Sequence, residues 1–192
     1  MPSDVVDEDW YGRELADGPY VDVGFSRVDF TEVRTHGVVF QNCRFSNCTF
    51  NVSEHRSTSF IACEFARSSL FSATFDGCKL SGSTFVDCEF RPITIVGGLW
   101  QGVTIRAAKL SKIDFSQVDL RDSDLSESDL TGAKLINANL GHAKLRNTRL
   151  LDADLTGARL EAVNLGEALL GNTKVDLDGA ISVAAAYGAV LA

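Results

Sequence analysis

Large apolar side chains recur at every fifth position of the chain from Tyr20 to Val175, and polar residues fill most positions between them. Only Thr35 and His55 interrupt this column. An α-helix repeats every 3.6 residues and a strand every 2, so neither places such a column on one side of the chain. A chain that turns a corner after each fifth residue does, and a fixed short period is typical of a repeat solenoid.

A column of small residues accompanies the large one, two positions earlier in each repeat. It contains all five cysteines, while eleven of the 12 phenylalanines lie in the large column. Cysteine or serine accompanies phenylalanine in the first half, and alanine accompanies leucine in the second. Such matching of side-chain volumes is what a narrow, closely packed interior needs.

The repeat reads small–polar–large–polar–any, as in residues 128–132 (SDLTG) and 153–157 (ADLTG), and it resembles the motif of pentapeptide-repeat proteins. The resemblance covers residues 18–177, which hold thirty-two repeats in one register. It implies an all-β fold, a right-handed quadrilateral parallel β-helix with four repeats in each coil and about eight coils. We expect this β-helix to form one domain, with a short C-terminal helix for capping or dimerisation.

Two segments lie outside the predicted β-helix. Residues 1–17 carry six acidic side chains and a single base, Arg13, which predicts a loose acidic cap or tail. Residues 178–192 have no charged side chain after Asp178, and they predict a short helix with Asp178 as its N-cap. Since this helix is apolar nearly all round, we expect it to be buried on more than one side.

One side of the C-terminal helix is expected to plug the last coil, and the other is most simply buried in a two-fold dimer of the C-terminal ends. The alternative is a helix that folds over its own coil in a monomer. The dimer interface is predicted to contain Ile181, Val183, Ala184, Tyr187, Val190 and Leu191.

The irregular positions of the core do not resemble an active site. Thr35 and His55 are twenty residues apart, which is one coil, so we expect them to stack and hydrogen-bond each other. Glycines flank the bulky Trp100 and predict local relief, and Pro92 lacks a ladder donor and predicts a slight bend. No histidine has a nucleophile and an orienting carboxylate at compatible positions, and no phosphate-loop or zinc-protease motif occurs. We predict a protein that is not an enzyme and has no cofactor, catalytic residue or metal site.

Cysteine usage and hydropathy bear on location. The cysteines share one inward column and are odd in number, which argues against a disulfide framework and favours a reducing cytoplasm. No apolar run approaches the ~20 residues of a membrane helix. Residues 1–10 are acidic, unlike a signal peptide. We expect a cytoplasmic protein without membrane contact.

The net charge of −8 is unevenly distributed along the chain. Within residues 114–129, six acids face only Arg121, and because each repeat turns a corner we expect them to wrap a coil as a belt. This acidic belt consists of Asp114, Asp119, Asp122, Asp124, Glu127 and Asp129. One interpretation is ordinary solubility. The other is mimicry of nucleic acid, in which carboxylates on a rod of duplex-like width face a protein surface built for phosphates; the same acidity argues against direct nucleic-acid binding.

Residues 91–95 (RPITI) and 183–188 (VAAAYG), with the unbroken run of repeats, resemble the MfpA-type and more distantly the Qnr-type branch of the family, which is linked to fluoroquinolone resistance. The resemblance implies a DNA mimic that binds DNA gyrase, modulates or inhibits it and protects it from fluoroquinolones. Because no loop interrupts the repeats, we favour imitation of the transported duplex at the B-subunit ATPase region over binding at the DNA-cleavage saddle. The acidic belt is the expected gyrase-binding surface. The alternative function is a general interaction scaffold with an unrelated partner.

Overall fold

The chain winds into a solenoid of short parallel strands. The computed structural model describes residues 4–16 and 18–190. Each strand pairs with the strand twenty residues later, as in the Cα partners Phe25↔Phe45 and Phe40↔Phe60. Twenty residues are four repeats, so each coil has four faces. The strands are β1 Val5–Val6, β2 Glu14–Leu15, β3 Tyr20–Val21, β4 Gly24–Ser26, β5 Arg34–His36, β6 Val39–Gln41, β7 Arg44–Ser46, β8 Glu54–Arg56, β9 Ser59–Ile61, β10 Glu64–Ala66, β11 Ala73–Asp76, β12 Thr84–Val86, β13 Ile93–Val96 and β14 Thr104–Ile105.

Three of the four faces contain continuous sheets. The first face has the order β1-β4-β7-β10-β12-β14, the third face β13-β11-β8-β5-β2, and the fourth face β3-β6-β9. The second face, from which Phe30 and Phe50 point into the core, is held by isolated bridges such as Asp29↔Thr49. All pairings are parallel and keep the same register, so side chains of one column stack directly on each other.

The predicted all-β solenoid is confirmed, but the predicted number of coils is not. The named strands form about five turns rather than eight, and among the described residues no strand follows Ile105. Beyond that point isolated bridges such as Asp119↔Asn139 join successive coils, and the register continues to Asp154↔Lys174. In this leucine-rich half each central residue is bounded by turns on both sides. Each face of these coils therefore has one paired residue, whereas the faces with sheets in the phenylalanine-rich coils have short strands.

Stacked rings fill the first half of the solenoid. On the first face Phe25, Phe45, Phe65 and Phe85 follow one another with ring centroids 4.9, 4.8 and 4.7 Å apart. This distance matches the spacing of neighbouring strands. Buried leucines continue the column in the second half. The column predicted from the five-residue period is therefore the hydrophobic core.

The two polar members of the large column satisfy each other, as predicted. Oγ1 of Thr35 lies 2.8 Å from Nδ1 of His55, and Oγ of Ser53 lies 3.0 Å from its Nε2. The Ser53 hydroxyl donates to the carbonyl of Phe50, so its oxygen can accept from Nε2–H. In a neutral imidazole Nδ1 then accepts from the Thr35 hydroxyl, whose oxygen also lies 2.7 Å from that of Thr58. Burial lowers the pKa of His55 to about 3, which keeps the imidazole neutral at neutral pH.

A glycine near the bulky Trp100 allows two coils to approach closely. Gly98 has a φ of +105°, and a Cβ at this position would lie 2.5 Å from the carbonyl oxygen of Cys78 in the preceding coil. The same Cβ would lie 3.4 Å from Nε1 of Trp100, whose side chain is buried. Gly98 is therefore required by the backbone of the preceding coil, and the predicted relief for the tryptophan itself stays a prediction.

The acidic N-terminal segment continues the solenoid. Strands β1 and β2 pair in parallel with β4 and β5 in the twenty-residue register. Trp10 occupies the central position between them, and its ring lies 5.6 Å from that of Phe25 and 5.2 Å from that of Phe30. The register thus begins at Val5, inside the segment 1–17 that was predicted to be a separate cap.

A short helix, α1 Leu177–Ala186, closes the other end. Its N-cap is Asp176 and not the predicted Asp178: one Asp176 oxygen accepts from the Gly179 amide at 2.9 Å and the other from the Gly157 amide at 2.8 Å. The cap carboxylate therefore ties the helix to the last coils. Val183 and Ala186 pack against the core. Within the described residues, no helix has the length and apolarity needed to cross a membrane.

Candidate protein-interaction surfaces

The six residues of the acidic belt lie on all four faces. The isolated bridges place Asp114 on the third face, Asp119 on the fourth, Asp124 on the first and Asp129 on the second. Asp122 and Glu127 occupy the corner positions that follow the fourth and first faces. Each corner residue has a left-handed backbone, with φ of +57° and +66°. The carboxylates therefore encircle the rod, and no single patch contains all six.

Basic side chains compensate most of the belt. Five of its six acids lie within 4.0 Å of a lysine or arginine nitrogen. The pairs are Asp114–Lys134 at 3.5 Å, Asp119–Arg121 at 2.7 Å, Asp124–Arg106 at 3.9 Å, Glu127–Arg146 at 2.9 Å, Glu127–Arg106 at 3.1 Å and Asp129–Arg149 at 4.0 Å. Asp122 accepts a hydrogen bond from the neutral Gln101 at 3.1 Å. The prediction that only Arg121 faces the belt is therefore wrong.

The error has a geometric cause. In a solenoid with twenty residues per coil, the nearest side chains come from positions twenty residues before and after, outside any short sequence window. On the third face the outward position before the central residue alternates in sign from 14 to 54 and again from 114 to 174, with neutral threonines at 74 and 94. The pairs 14/34, 114/134 and 154/174 are adjacent on neighbouring coils. Their nitrogen–oxygen distances are 3.8, 3.5 and 3.9 Å. Such exposed pairs contribute only about 0–1 kcal/mol each, but they cancel charge locally.

The paired carboxylates nevertheless remain ionised. A hydrogen bond from Arg121 lowers the pKa of Asp119, and hydrogen bonds from Thr131 lower the pKa of Asp129. Both shifts favour the charged carboxylate at neutral pH. The belt is thus a ring of dipoles whose field falls off faster than that of an uncompensated acidic ring.

The most acidic surface is the N-terminal end of the rod. The described residues up to position 32 contain eight acids and two bases, Arg13 and Arg27, and Glu14 is also paired with Arg34 of the next coil at 3.8 Å. We call this set the acidic end: Asp4, Asp7, Glu8, Asp9, Glu14, Asp22, Asp29 and Glu32. Asp9 and Asp29 are bridge partners, so two like charges are adjacent on neighbouring coils. Strands β1 and β2 order the first coil of the acidic end, and Asp22, Asp29 and Glu32 lie on the next coil.

Sequence reasoning missed the acidic end as an ordered surface. The five-residue column was read only from Tyr20 onward, although Val5, Trp10 and Leu15 extend it back to the first coil. Those three side chains are buried or half-buried. They were the signal that the acidic segment is part of the solenoid.

The C-terminal helix divides the predicted dimer residues into two groups. Ile181, Val183 and Ala184 are half-buried, and Val183 packs against the chain's own core. Tyr187 and Val190 are 68 % and 91 % exposed, and Leu191 lies outside the described residues. Leu177, which was not predicted, is 77 % exposed at the first position of the helix. The helix therefore covers its own coil and also presents an uncovered apolar side.

Comparisons with known proteins agree with this architecture. The profile described as a pentapeptide repeat region matches residues 62–135 and 100–175. The crystal structure of HetL, a pentapeptide repeat protein involved in heterocyst differentiation regulation in the cyanobacterium Nostoc sp. strain PCC 7120, is 19 % identical, with a TM-score of 0.52 over 92 % of this chain and 85 % of HetL. A trypsin-treated variant of QnrB1, a plasmid-mediated fluoroquinolone resistance protein, is 17 % identical, with a TM-score of 0.53 over 99 % of this chain and 98 % of QnrB1. Comparison with curated proteins finds no match. The chain belongs to the pentapeptide-repeat family.

Proposed function

We propose that this protein is a DNA-mimicking partner of DNA gyrase in the cytoplasm, where it modulates the enzyme and protects it from fluoroquinolones. The sequence resemblance to the MfpA-type and Qnr-type branch suggests this partner. The observation that carries the mimicry is the acidic end, because its carboxylates lie on ordered coils of the solenoid and outnumber the nearby bases. A surface that binds DNA phosphates attracts such an array of fixed negative charge.

The acidic end replaces most of the belt as the proposed contact surface. Asp9, Asp22, Asp29 and Glu32 have no ion-pair partner among the described side chains. Of the belt acids, only Asp122 shares this property. A cationic groove on gyrase therefore gains more from contact with the acidic end than it does from contact with carboxylates already paired with arginine or lysine.

A dimer of the C-terminal ends belongs to the same proposal. The exposed side chains Leu177, Tyr187 and Val190 give a second copy an apolar surface to cover. A two-fold dimer joined there places one acidic end at each tip of a long rod, and gyrase is itself a two-fold enzyme that holds duplex DNA. The smooth faces of such a rod favour the B-subunit ATPase region, where a transported duplex passes, over the DNA-cleavage saddle.

Two variants with equal charge changes test the proposal. The first neutralises the acidic end with Asp9→Asn, Asp22→Asn, Asp29→Asn and Glu32→Gln. The second neutralises the belt with Asp114→Asn, Asp119→Asn, Asp124→Asn and Asp129→Asn. Each amide retains one acceptor oxygen, so the hydrogen bonds that Asp9 and Asp29 accept from backbone amides are kept.

Purified gyrase is assayed for supercoiling and for quinolone-induced DNA cleavage with each protein at low and moderate salt. We expect wild type to inhibit supercoiling, the acidic-end variant to lose at least about tenfold in potency, and the belt variant to change much less, since its charges are already compensated. Inhibition should weaken steeply with salt. Binding that ignores salt would indicate a general docking scaffold instead, and unaltered supercoiling at low salt would rule out the gyrase proposal. Binding to the isolated B-subunit ATPase domain distinguishes the two gyrase sites.

A further inference from the structure

The coil-to-coil ladder of the second face is interrupted once. Bridges run from Asp29 through Thr49 and Ser69 to Glu89, and they resume between Lys109 and Asp129. Within the part of the chain that the structure describes, no bridge joins Glu89 to Lys109 on this face. On the adjoining third face, β13 pairs with β11 only and is the edge strand of its sheet. Two neighbouring coils are therefore separated along about half a turn.

The hydrogen bonds define which backbone groups the gap leaves open. The amide of Leu70 donates to the carbonyl of Glu89 at 2.8 Å, and the amide of Leu110 donates to Asp129 at 2.8 Å. The equivalent bond from Phe90 to Lys109 is not formed between these described coils, nor is the bond from Lys109 back to Cys88. The amides of Phe90 and Lys109 and the carbonyls of Cys88 and Lys109 thus face the gap without a backbone partner.

Pro92 gives a chemical reason for the interruption. Its equivalents one or more coils away, Glu32, Val52 and Lys112, each donate a backbone hydrogen bond to the following coil at 2.9 Å. Proline has no N–H and makes no such bond. The coil that contains Pro92 is therefore the one least able to hold its neighbour on this face.

A cavity of about 830 Å³ occupies the gap between residues 85–93 and residues 106–113. This volume lies within the usual range of ligand sites, roughly 300–1,000 Å³. Its apolar lining includes Phe85, Phe90 and Ile113. Cys88 is half-buried here, whereas the other four cysteines of the small column are fully buried. We call this feature the interrupted-ladder cleft.

The charge of the cleft is opposite to that of the whole protein. Four bases line it against two acids: Arg91, Arg106, Lys109 and Lys112 against Asp87 and Glu89. Arg106 is paired with Glu127, but Lys109 and Lys112 have no ion-pair partner among the described residues. Both lysines are exposed. The cleft therefore attracts an anionic ligand.

The open backbone groups decide what kind of anion fits. A free carboxylate or a fully ionised phosphate only accepts hydrogen bonds, so it leaves the two carbonyls of the cleft unsatisfied. An extended peptide offers both N–H and C=O groups at the spacing of a strand, and peptides add to open sheet edges in this way. We propose that the interrupted-ladder cleft binds an extended acidic segment of a partner protein, which joins the ladder as an added strand and places its carboxylates beside Lys109 and Lys112.

Fluorescence anisotropy with labelled hexapeptides tests the proposal. The probes are a set of peptides that alternate β-branched residues with glutamate, a matched set with lysine in place of glutamate, and an acidic set with N-methylated backbone amides. The variant Lys109→Glu/Lys112→Glu reverses the charge of the cleft. Lys79→Glu is its control, since Lys79 is another lysine without an ion pair, on the fourth face.

We expect the acidic peptides to bind wild type and Lys79→Glu alike, and to bind the cleft variant at least about tenfold more weakly, as for loss of one charge-assisted contact. N-methylation should cost a similar factor, and bound peptide should shift the backbone amide NMR signals of Phe90 and Lys109. Failure of every acidic peptide to bind would overturn the proposal. Equal binding of N-methylated peptides would exclude an added strand, and displacement by millimolar pyrophosphate with no shift at these amides would identify a small-anion site instead.

Discussion

The buried histidine gives the sharpest prediction about stability. His55 is 1 % exposed in a column of phenylalanines, and its neighbours Phe50, Phe60 and Phe75 have ring centroids 6.0, 5.2 and 5.0 Å away. Both of its ring nitrogens already have hydroxyl partners. No acidic side chain belongs to this network, so a proton on the imidazole gains no compensating charge. Replacement by phenylalanine restores the column and removes the titrating group.

The magnitude follows from the shift of the pKa. Burial lowers the pKa of His55 to about 3 in the folded state, whereas an unfolded histidine titrates near pH ~6.5. The unfolded chain therefore binds a proton that the folded chain rejects, and stability falls as the pH drops through ~6.5. Linkage gives a loss of about 1.4 kcal/mol between about pH 7.5 and pH 5.5. His55→Phe should not show this part of the loss.

Guanidinium denaturation of wild type and His55→Phe at these two pH values measures the difference. Carboxylates with lowered pKa values also lose stability in acid, but they are common to both proteins and cancel when the two pH responses are subtracted. His36→Gln is the control, because His36 is exposed on the adjoining coil of the same face and its loss should leave the wild-type response intact. If wild type and His55→Phe lost the same free energy of unfolding between the two pH values, the buried His55 would not be a neutral group that excludes a proton.

Three further predictions follow from backbone geometry and exposed surface. Val52→Asn should raise the free energy of unfolding by about 1 kcal/mol, since a β-branched residue stands at a φ of +58° that asparagine tolerates better; urea denaturation checks it, and an unchanged midpoint would contradict it. Gly98→Ala should cost about 3 kcal/mol or more because its Cβ meets a backbone carbonyl, whereas Gly97→Ala, with open space around the Cβ, should cost about 1 kcal/mol; equal costs would refute the close approach. Tyr187→Lys/Val190→Glu should shift a dimer to monomer in sedimentation velocity, and a persistent dimer would place the interface elsewhere.

The interior of this protein can be predicted from the sequence because the central residue of every five-residue repeat must point into the core. A period of five predicts that Phe25, Phe45 and Phe65 belong to one stack, and it pairs Thr35 with His55 across one coil. Both expectations depend only on the number of residues per coil. They need no knowledge of loop conformation or of partner choice, so the sequence is sufficient for them.

The ends and the surface were harder to predict for physical reasons. The many acids of the N-terminal segment suggested a separate tail, although Val5, Trp10 and Leu15 extend the column. The acids occupy solvent-facing positions, whereas the register of the repeat depends on the inward-facing ones. The helix N-cap moved from Asp178 to Asp176 because the carboxylate that also reaches a coil amide makes two hydrogen bonds. Pro92 signalled a weak point in the ladder, but a missing donor alone does not show that two coils separate.

Charge on a solenoid must be counted on its two-dimensional lattice. Each side chain has neighbours five residues away along the coil and twenty residues away on the adjacent coils. A net charge counted along the sequence is therefore cancelled wherever the adjacent coils carry charges of opposite sign. Paired charges act over short distances, and salt screens even isolated ones beyond about 8–10 Å. The acidic end and the interrupted-ladder cleft partly escape this cancellation. At the acidic end like charges are stacked at Asp9 and Asp29, and in the cleft Lys109 and Lys112 have no acid within ion-pair distance among the described residues, although Lys109 lies between Glu89 and Asp129. A partner steered by charge should therefore meet the rod at its acidic tip or at the break in its ladder, and the long paired faces between them serve to hold these two sites at a fixed separation.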